Sequence, residues 1–126
     1  MKVMVFVKAT EDSEKERFPA GEMHEMFEAM GRYNAALTEA GIMKAGDGLR
    51  PSRYAKRIAF DGPDRRVIDG PFGPAGELVA GFWIWEVKDM DEAVAWARRC
   101  PNPMPGPSEL EIRPFYEESD FAALEI

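Results

Sequence analysis

Apolar side chains fill every position from 3 to 7, Val3-Met4-Val5-Phe6-Val7. So short a run, rich in β-branched residues, predicts a central strand buried on both faces. Between Glu22 and Ala40 the period changes: Met23, Met26, Phe27, Met30, Tyr33 and Leu37 recur at three- and four-residue steps. That spacing predicts an amphipathic helix, with Gly41 as the left-handed residue that ends it. Residues 42–46 read as a short extended stretch and 47–51 as a turn punctuated by glycine and proline. Arg57-Ile58-Ala59-Phe60 and Arg66-Val67-Ile68 flank Asp61-Gly62-Pro63-Asp64, a hairpin with a loop longer than the minimum. Residues 77–79 read as a turn. Residues 81–87 give the most apolar strand. Asp89 followed by Glu92 predicts a reciprocal cap for a second helix, whose buried stripe is Ala93, Trp96, Ala97 and Cys100. Proline at 101, 103, 105 and 107 excludes helix or sheet interior and predicts a stiff surface loop. From 108 to 115 the chain alternates, Leu110 and Ile112 against Glu109, Glu111 and Arg113, as in a strand with one wet face. The tail from 116 is acidic but carries Phe121, Leu124 and Ile126, a segment suited to docking on a partner.

The order is β-α-β, hairpin, β-α-β. It predicts one α+β domain over residues 1–126, a ferredoxin-like split βαβ with an extra hairpin. Two helices cover only one face of such a sheet, yet the central strands are apolar on both. Phe82 and Ile84 point one way, and Trp83, Trp85 and Val87 the other; Val3, Val5 and Val7 oppose Met4 and Phe6. The uncovered face is expected to carry the two tryptophans with a methionine and a phenylalanine. A bare patch of that kind marks an interaction surface, and its simplest cover is the same face of a second copy, a homodimer through the helix-free side.

A formal net charge of −7 over 126 residues argues against nucleic-acid binding, which needs a basic face, and against adsorption to anionic membranes. The single cysteine, Cys100, allows no internal disulfide and implies no oxidising compartment. No apolar run approaches the ~20 residues that span a bilayer. Acidic Glu11, Asp12 and Glu14 follow the first apolar run where a secretory segment would place small residues, so a cytoplasmic protein is expected. The sequence holds no P-loop, no GxGxxG and no Gly-x-Ser-x-Gly elbow. One histidine and one cysteine cannot furnish a usual zinc set, and neither metal nor cofactor is expected.

Candidate chemistry is sparse. Asp69-Gly70-Pro71-Phe72 admits two readings. In one, Asp69 is a carboxylate at a pocket rim and Phe72 an apolar wall. In the other, Asp69 closes a turn and Phe72 fills core. His24 is the only histidine, so imidazole acid–base chemistry must pass through it; the bland alternative is a solvated helix residue. Lys8 and Arg113 lie at strand ends, as candidates for an anionic ligand or as ordinary edge charges. Cys100 reads as a small buried hydrophobe, and the Met23, Met26 and Met30 stripe as adaptable packing.

The DGPF tetrapeptide at 69–72, followed by Gly81-Phe82-Trp83-Ile84-Trp85, resembles the YCII-related (DGPF-motif) family of small bacterial proteins. The likeness extends to Val7-Lys8-Ala9-Thr10, Met30-Gly31-Arg32-Tyr33-Asn34, Gly46-Asp47-Gly48-Leu49, Arg99-Cys100-Pro101-Asn102-Pro103 and Glu111-Ile112-Arg113. It implies a dimeric α/β barrel, two sheets meeting face to face. It also implies a His–Asp pair as a site, for which His24 and Asp69 are the residues here. Glu77 matches the second glutamate of the A-E-T-K-E stretch that commonly follows DGPF, whereas Pro74 and Gly76 replace its earlier acid and its lysine. Two functions follow as expectations. One is a dimer that binds a small polar metabolite through Lys8, Phe72, Glu77 and Arg113 and transfers protons, or adds and eliminates, with His24 and Asp69. The other is a non-catalytic regulatory module linked to sigma-factor signalling, as the resemblance implies for some members.

Overall fold

A computed structural model describes residues 1–124 of the chain; Ile126, the last apolar residue of the tail, lies outside the described residues. The first strand, β1 (Lys2–Lys8), is followed by a one-turn helix, α1 (Glu11–Glu14), and by the long helix α2 (Ala20–Glu39). Strands β2 (Met43–Gly48), β3 (Lys56–Asp61), β4 (Asp64–Asp69) and β5 (Val79–Glu86) come next. Helix α3 (Met90–Ala97), strand β6 (Leu110–Pro114) and a final helix, α4 (Glu118–Leu124), complete the order. The main sheet runs β2-β5-β1-β6 with every neighbouring pair antiparallel. Two βαβ crossovers thus interleave in one α+β unit, while β3 and β4 form a separate two-stranded ribbon.

Local chemistry fixes the ends of these elements. Helix α1 was not expected from its charged sequence; Thr10 and Ser13 cap it reciprocally, each side chain bonded to the other's backbone. Helix α2 ends as its glycine predicts: Gly41 has φ +74°, and Ile42 N–H returns to the Leu37 carbonyl at 2.9 Å. Asp89 accepts from Glu92 N–H at 2.9 Å, and the Glu92 carboxylate from Lys88 N–H, one position before the cap.

The core lies between the helices and one face of the sheet. Val3, Val5 and Val7 from β1 are buried with Trp83 and Trp85 from β5, next to Tyr33, Leu37, Ile42, Val87, Ala93 and Met104. In register, Val3 faces Trp85 and Val5 faces Trp83. The tryptophans therefore lie under the helices, which corrects the expectation that they occupy the uncovered face. The open face carries Met4, Phe6, Phe82 and Ile84, paired Met4 with Ile84 and Phe6 with Phe82. Strand alternation assigns Trp83 and Trp85 to one side, but with both sides apolar it cannot say which side the helices take. The answer lies in bulk, since the two largest rings go where cover is complete.

Trp85 is fully buried with its Nε1–H unpartnered. Burying a ring of about 200 Å² stabilises by about 5 kcal/mol, more than the roughly 1–3 kcal/mol an unmet donor costs. Helix α3 is tied to α2 by Tyr33, whose hydroxyl donates to the Trp96 carbonyl at 2.6 Å. Burial raises the Tyr33 phenol well above its usual range, and neighbouring Cys100 adds to the rise. Burial likewise pushes the Cys100 thiol up from 9.0 to about 11.

These two shifts set a pH dependence. Above pH 9.0 the unfolded chain releases the Cys100 proton, whereas the folded chain keeps it until about 11. The folded state then binds more protons, so stability falls as pH rises through that window, and Tyr33 extends the loss beyond it. Urea unfolding is expected to show lower stability at pH 10.5 than at pH 8.5 (both about), with a shallower decline in Cys100→Ala. A flat or rising profile in the parent chain would contradict the burial of both groups.

Candidate functional site

Helix α2 meets the sheet with only part of its length. Its buried residues, Tyr33 and Leu37, lie in the C-terminal half. Tyr33 stands edge-on to Trp83, ring centroids 5.9 Å apart. Towards the N-terminus Met23, Met26 and Met30 are half-buried and Phe27 is exposed, so this half stands off the sheet. The gap is a cavity of about 680 Å³. Met23, Met26, Met30 and Asn34 line it from α2, and Met43, Gly46 and Asp47 from β2; Trp83 and Met104 also face it. Leu49 and Arg50 stand beyond the end of β2, and Glu14 and Glu16 come from the segment before α2. Thioethers from five methionines give the wall soft, adaptable packing.

One polar group in this wall is oriented. Trp83 Nε1–H donates to Asn34 Oδ1 at 2.9 Å. An indole only donates, so the amide must present its oxygen there. Asn34 Nδ2 is left with no protein acceptor among the described residues, on the lining of the cavity. A cavity with a methionine-rich inner wall, one directed donor and a rim of Glu14, Glu16, Asp47 and Arg50 suits a compact, mainly apolar molecule that carries an acceptor oxygen.

The residues singled out by sequence go elsewhere. His24 projects from the outer side of α2, 80% exposed, in an i,i+4 pair with Glu28 at 3.2 Å. Asp69 ends β4, 74% exposed, bonded to Lys56 Nζ at 2.5 Å. No ion pair or shared cavity joins His24 to Asp69 among the described residues. Glu77 ends an exposed 3-10 turn, Ala75–Glu77. Lys8 and Arg113 both approach Glu111, at 4.0 and 3.5 Å. Lys8 also lines a cleft of about 520 Å³ beside Thr10, Ala75 and Ser108. Phe72 lies under the Arg57 guanidinium, 3.9 Å from ring centroid to Cζ.

The DGPF segment acts as a strap. Phe72 N–H donates to Ser52 Oγ at 2.9 Å, and Ser52 gives both its hydroxyl and its N–H to the Glu14 carboxylate. Gly70 N–H reaches the Ala55 carbonyl at 2.9 Å, and its Cα lies so close to Ser52 that a Cβ would stand 1.8 Å from that residue's carbonyl oxygen. Motif, 3-10 turn Ser52–Tyr54 and α1 are thereby locked together, and Glu14 is held at the cavity edge. Asn34 could have been picked out in the sequence as the polar residue one turn after Met30, inside the apolar stripe. Ser52 offers no comparable signal, because its burial comes from segments distant in sequence.

Gly70→Ala is expected to destabilise the chain by about 3 kcal/mol, since backbone must move to admit the methyl group. Ser52→Ala should cost roughly 1–3 kcal/mol by orphaning Phe72 N–H and a lone pair of Glu14. Denaturant midpoints measure both; a neutral Gly70→Ala would refute the strap.

A protein of Rhizobium meliloti (strain 1021), described only as uncharacterized, is 32% identical to this chain over 76 residues, 60% of this chain and 61% of that protein. The chain thus spans about 61% of the length of the curated relative it matches. The family profile of the YCII-related domain matches residues 1–116, and on that match the chain belongs to the YCII-related family.

Proposed function

We propose that this YCII-related protein is a ligand-binding dimer, and that the cleft between α2 and the β2–β5 end of the sheet takes a compact, mainly apolar small molecule through an acceptor oxygen. The observation that carries the reading is Asn34, its amide fixed by Trp83 with Nδ2 left free on a methionine-lined wall. Arg50, at the rim and stacked over Tyr54 at 5.3 Å, stands there with Glu14, Glu16 and Asp47, a balance of charge that favours a neutral carbonyl over a carboxylate as the acceptor group. Catalysis by His24 and Asp69 gets less support: a proton-transfer pair must reach one substrate, and each side chain is exposed beside a different partner, His24 by Glu28 and Asp69 by Lys56.

The open sheet face supports the dimer. Met4, Phe6, Phe82 and Ile84 form a contiguous apolar patch that neither α2 nor α3 covers, flanked by Lys8, Glu111 and Arg113. Two such patches packed about a two-fold axis make a dimeric α/β barrel with a polar rim. The cleft lies on the other side of the sheet and stays open in that assembly.

The ligand reading is tested by thermal unfolding with a panel of aryl and branched-alkyl carboxylates and ketones. A ligand at a hundred times its Kd should stabilise by about 2.7 kcal/mol. Asn34→Ala is expected to weaken binding about tenfold, roughly 1.4 kcal/mol. Met26→Trp, which fills the cleft, should abolish it, and His24→Ala should leave it unchanged. Equal affinity in the parent chain and Asn34→Ala would remove the proposed anchor.

The dimer reading is tested by sedimentation. Phe6→Glu should convert a two-chain particle to a folded single chain; a parent chain that is already single at micromolar concentration would defeat it.

A further inference from the structure

The ribbon β3–β4 and the helix α4 share three properties. Each projects from the body of the domain, with no broad packing against any other element. Each shows apolar side chains to solvent: Ile58, Phe60 and Val67 on the ribbon, with Phe60 73% exposed, and Tyr116, Phe121 and Leu124 around α4. On the ribbon these chains share one face, because Ile58 pairs with Val67 across the strands and Phe60 follows Ile58 by two. In the tail Tyr116 and Phe121 stack at 4.9 Å into a single aromatic knob.

Their charges are opposite. Residues 50–69 hold six basic side chains against three acidic ones; by strand alternation Arg57 and Arg66 lie on the reverse of the ribbon, and the apolar face carries Arg65 together with Lys56, which is paired with Asp69. Arg65, over the Phe60 ring at 4.7 Å, edges the apolar face directly. Residues 116–124 hold three acids, Glu117, Glu118 and Asp120, and no base. An apolar strip edged by arginine matches an aromatic knob edged by carboxylates both in desolvation and in sign.

Within one chain the two do not meet. The ribbon leaves from the β2–β5 edge, at the end where Gly48 pairs with Gly81. The tail leaves from the β6 edge, at the opposite end, where Pro114 pairs with Val3. Those are diagonally opposite corners of the sheet, separated along β1 by the four steps from Val3 to Val7, about 13 Å at ~3.3 Å per residue, and across it by the width of four strands. When two open faces pack, a two-fold axis along the other diagonal brings each tail corner over the partner's ribbon corner. We propose that the acidic, aromatic tail of one copy docks on the apolar, Arg65-edged face of the β3–β4 ribbon of a second copy, so that the pair exchanges two symmetric clasps around the sheet interface. This rests on the dimer proposed above and assigns it an orientation.

The test mixes two full-length variants in a Cys100→Ser background, one Phe60→Cys and the other Phe121→Cys, the second carrying a mass tag. Under mild oxidation the expected product is a disulfide-linked heterodimer, formed in several-fold excess over either homodimer. Because Cys100 packs against the core, charge reversal gives a measurement independent of Cys100→Ser. Arg65→Glu should weaken association about tenfold, and mixing with a chain carrying Glu117→Lys and Glu118→Lys should restore it. A dimer by light scattering that gives only Phe60–Phe60 or Phe121–Phe121 links, or that ignores the charge reversal, overturns the clasp and spares the dimer. A single-chain particle overturns both.

Discussion

The position of α2 depends on Trp83. One ring receives two consecutive residues of the helix: Tyr33 packs against its edge and Asn34 accepts its N–H. Tyr33 also reaches across to the Trp96 carbonyl, so the same turn of α2 is fixed to the sheet and to α3. A helix held at one turn and at Leu37 can lean. The half that leans away carries methionines, whose side chains fill irregular space without demanding a fixed partner. The cleft is therefore a consequence of where the large rings are, and it opens on the side of Trp83 from which Asn34 looks out.

The second constraint is the strap. A chain that leaves β2, forms a free-standing ribbon and returns to β5 would pay heavily in loop entropy if both roots of the ribbon were loose. Ser52 closes the first root and Phe72 the second, with one hydroxyl serving both Phe72 N–H and Glu14. Gly70 permits the contact because no other residue fits against the Ser52 carbonyl. A carboxylate in so distinctive a tetrapeptide invites a catalytic reading, but Asp69 is turned to Lys56 in solvent. What the motif does in this fold is hold the ribbon's base and the neighbouring rim of the cleft.

Much of the fold was legible where apolar spacing had one interpretation. The stripe from Met23 to Leu37, the left-handed Gly41 and the Asp89 cap all correspond to observed features. Other features depended on partners distant in sequence. The side taken by Trp83 and Trp85 was set by helix cover, which alternation does not encode. Helix α1 was hidden because its capping residues, Thr10 and Ser13, sit among charges with no apolar stripe. Of the site, the methionine wall was read as packing, and it is that, but packing against a gap. Asn34 was passed over because a polar residue in a helix usually faces water. Only the tertiary contact with Trp83 turns it into a directed donor.

The charge pattern has a consequence of its own. With 23 acidic and 16 basic residues the domain as a whole repels its copies, and at physiological salt that repulsion decays over about 8 Å. In the proposed dimer, apolar attraction between open faces would therefore act only once the molecules are near contact, and would not by itself choose among orientations. Six basic residues between positions 50 and 69, away from the acidic tail, would give approaching copies a direction. Orientations that bring ribbon to tail would be attractive before the sheets touch, and those that bring tail to tail repulsive. Electrostatic patterning of this kind sets register more than affinity. On the proposed arrangement the uncharged sheet patch would supply the contact area, while Arg65 and the tail carboxylates would decide which corners meet.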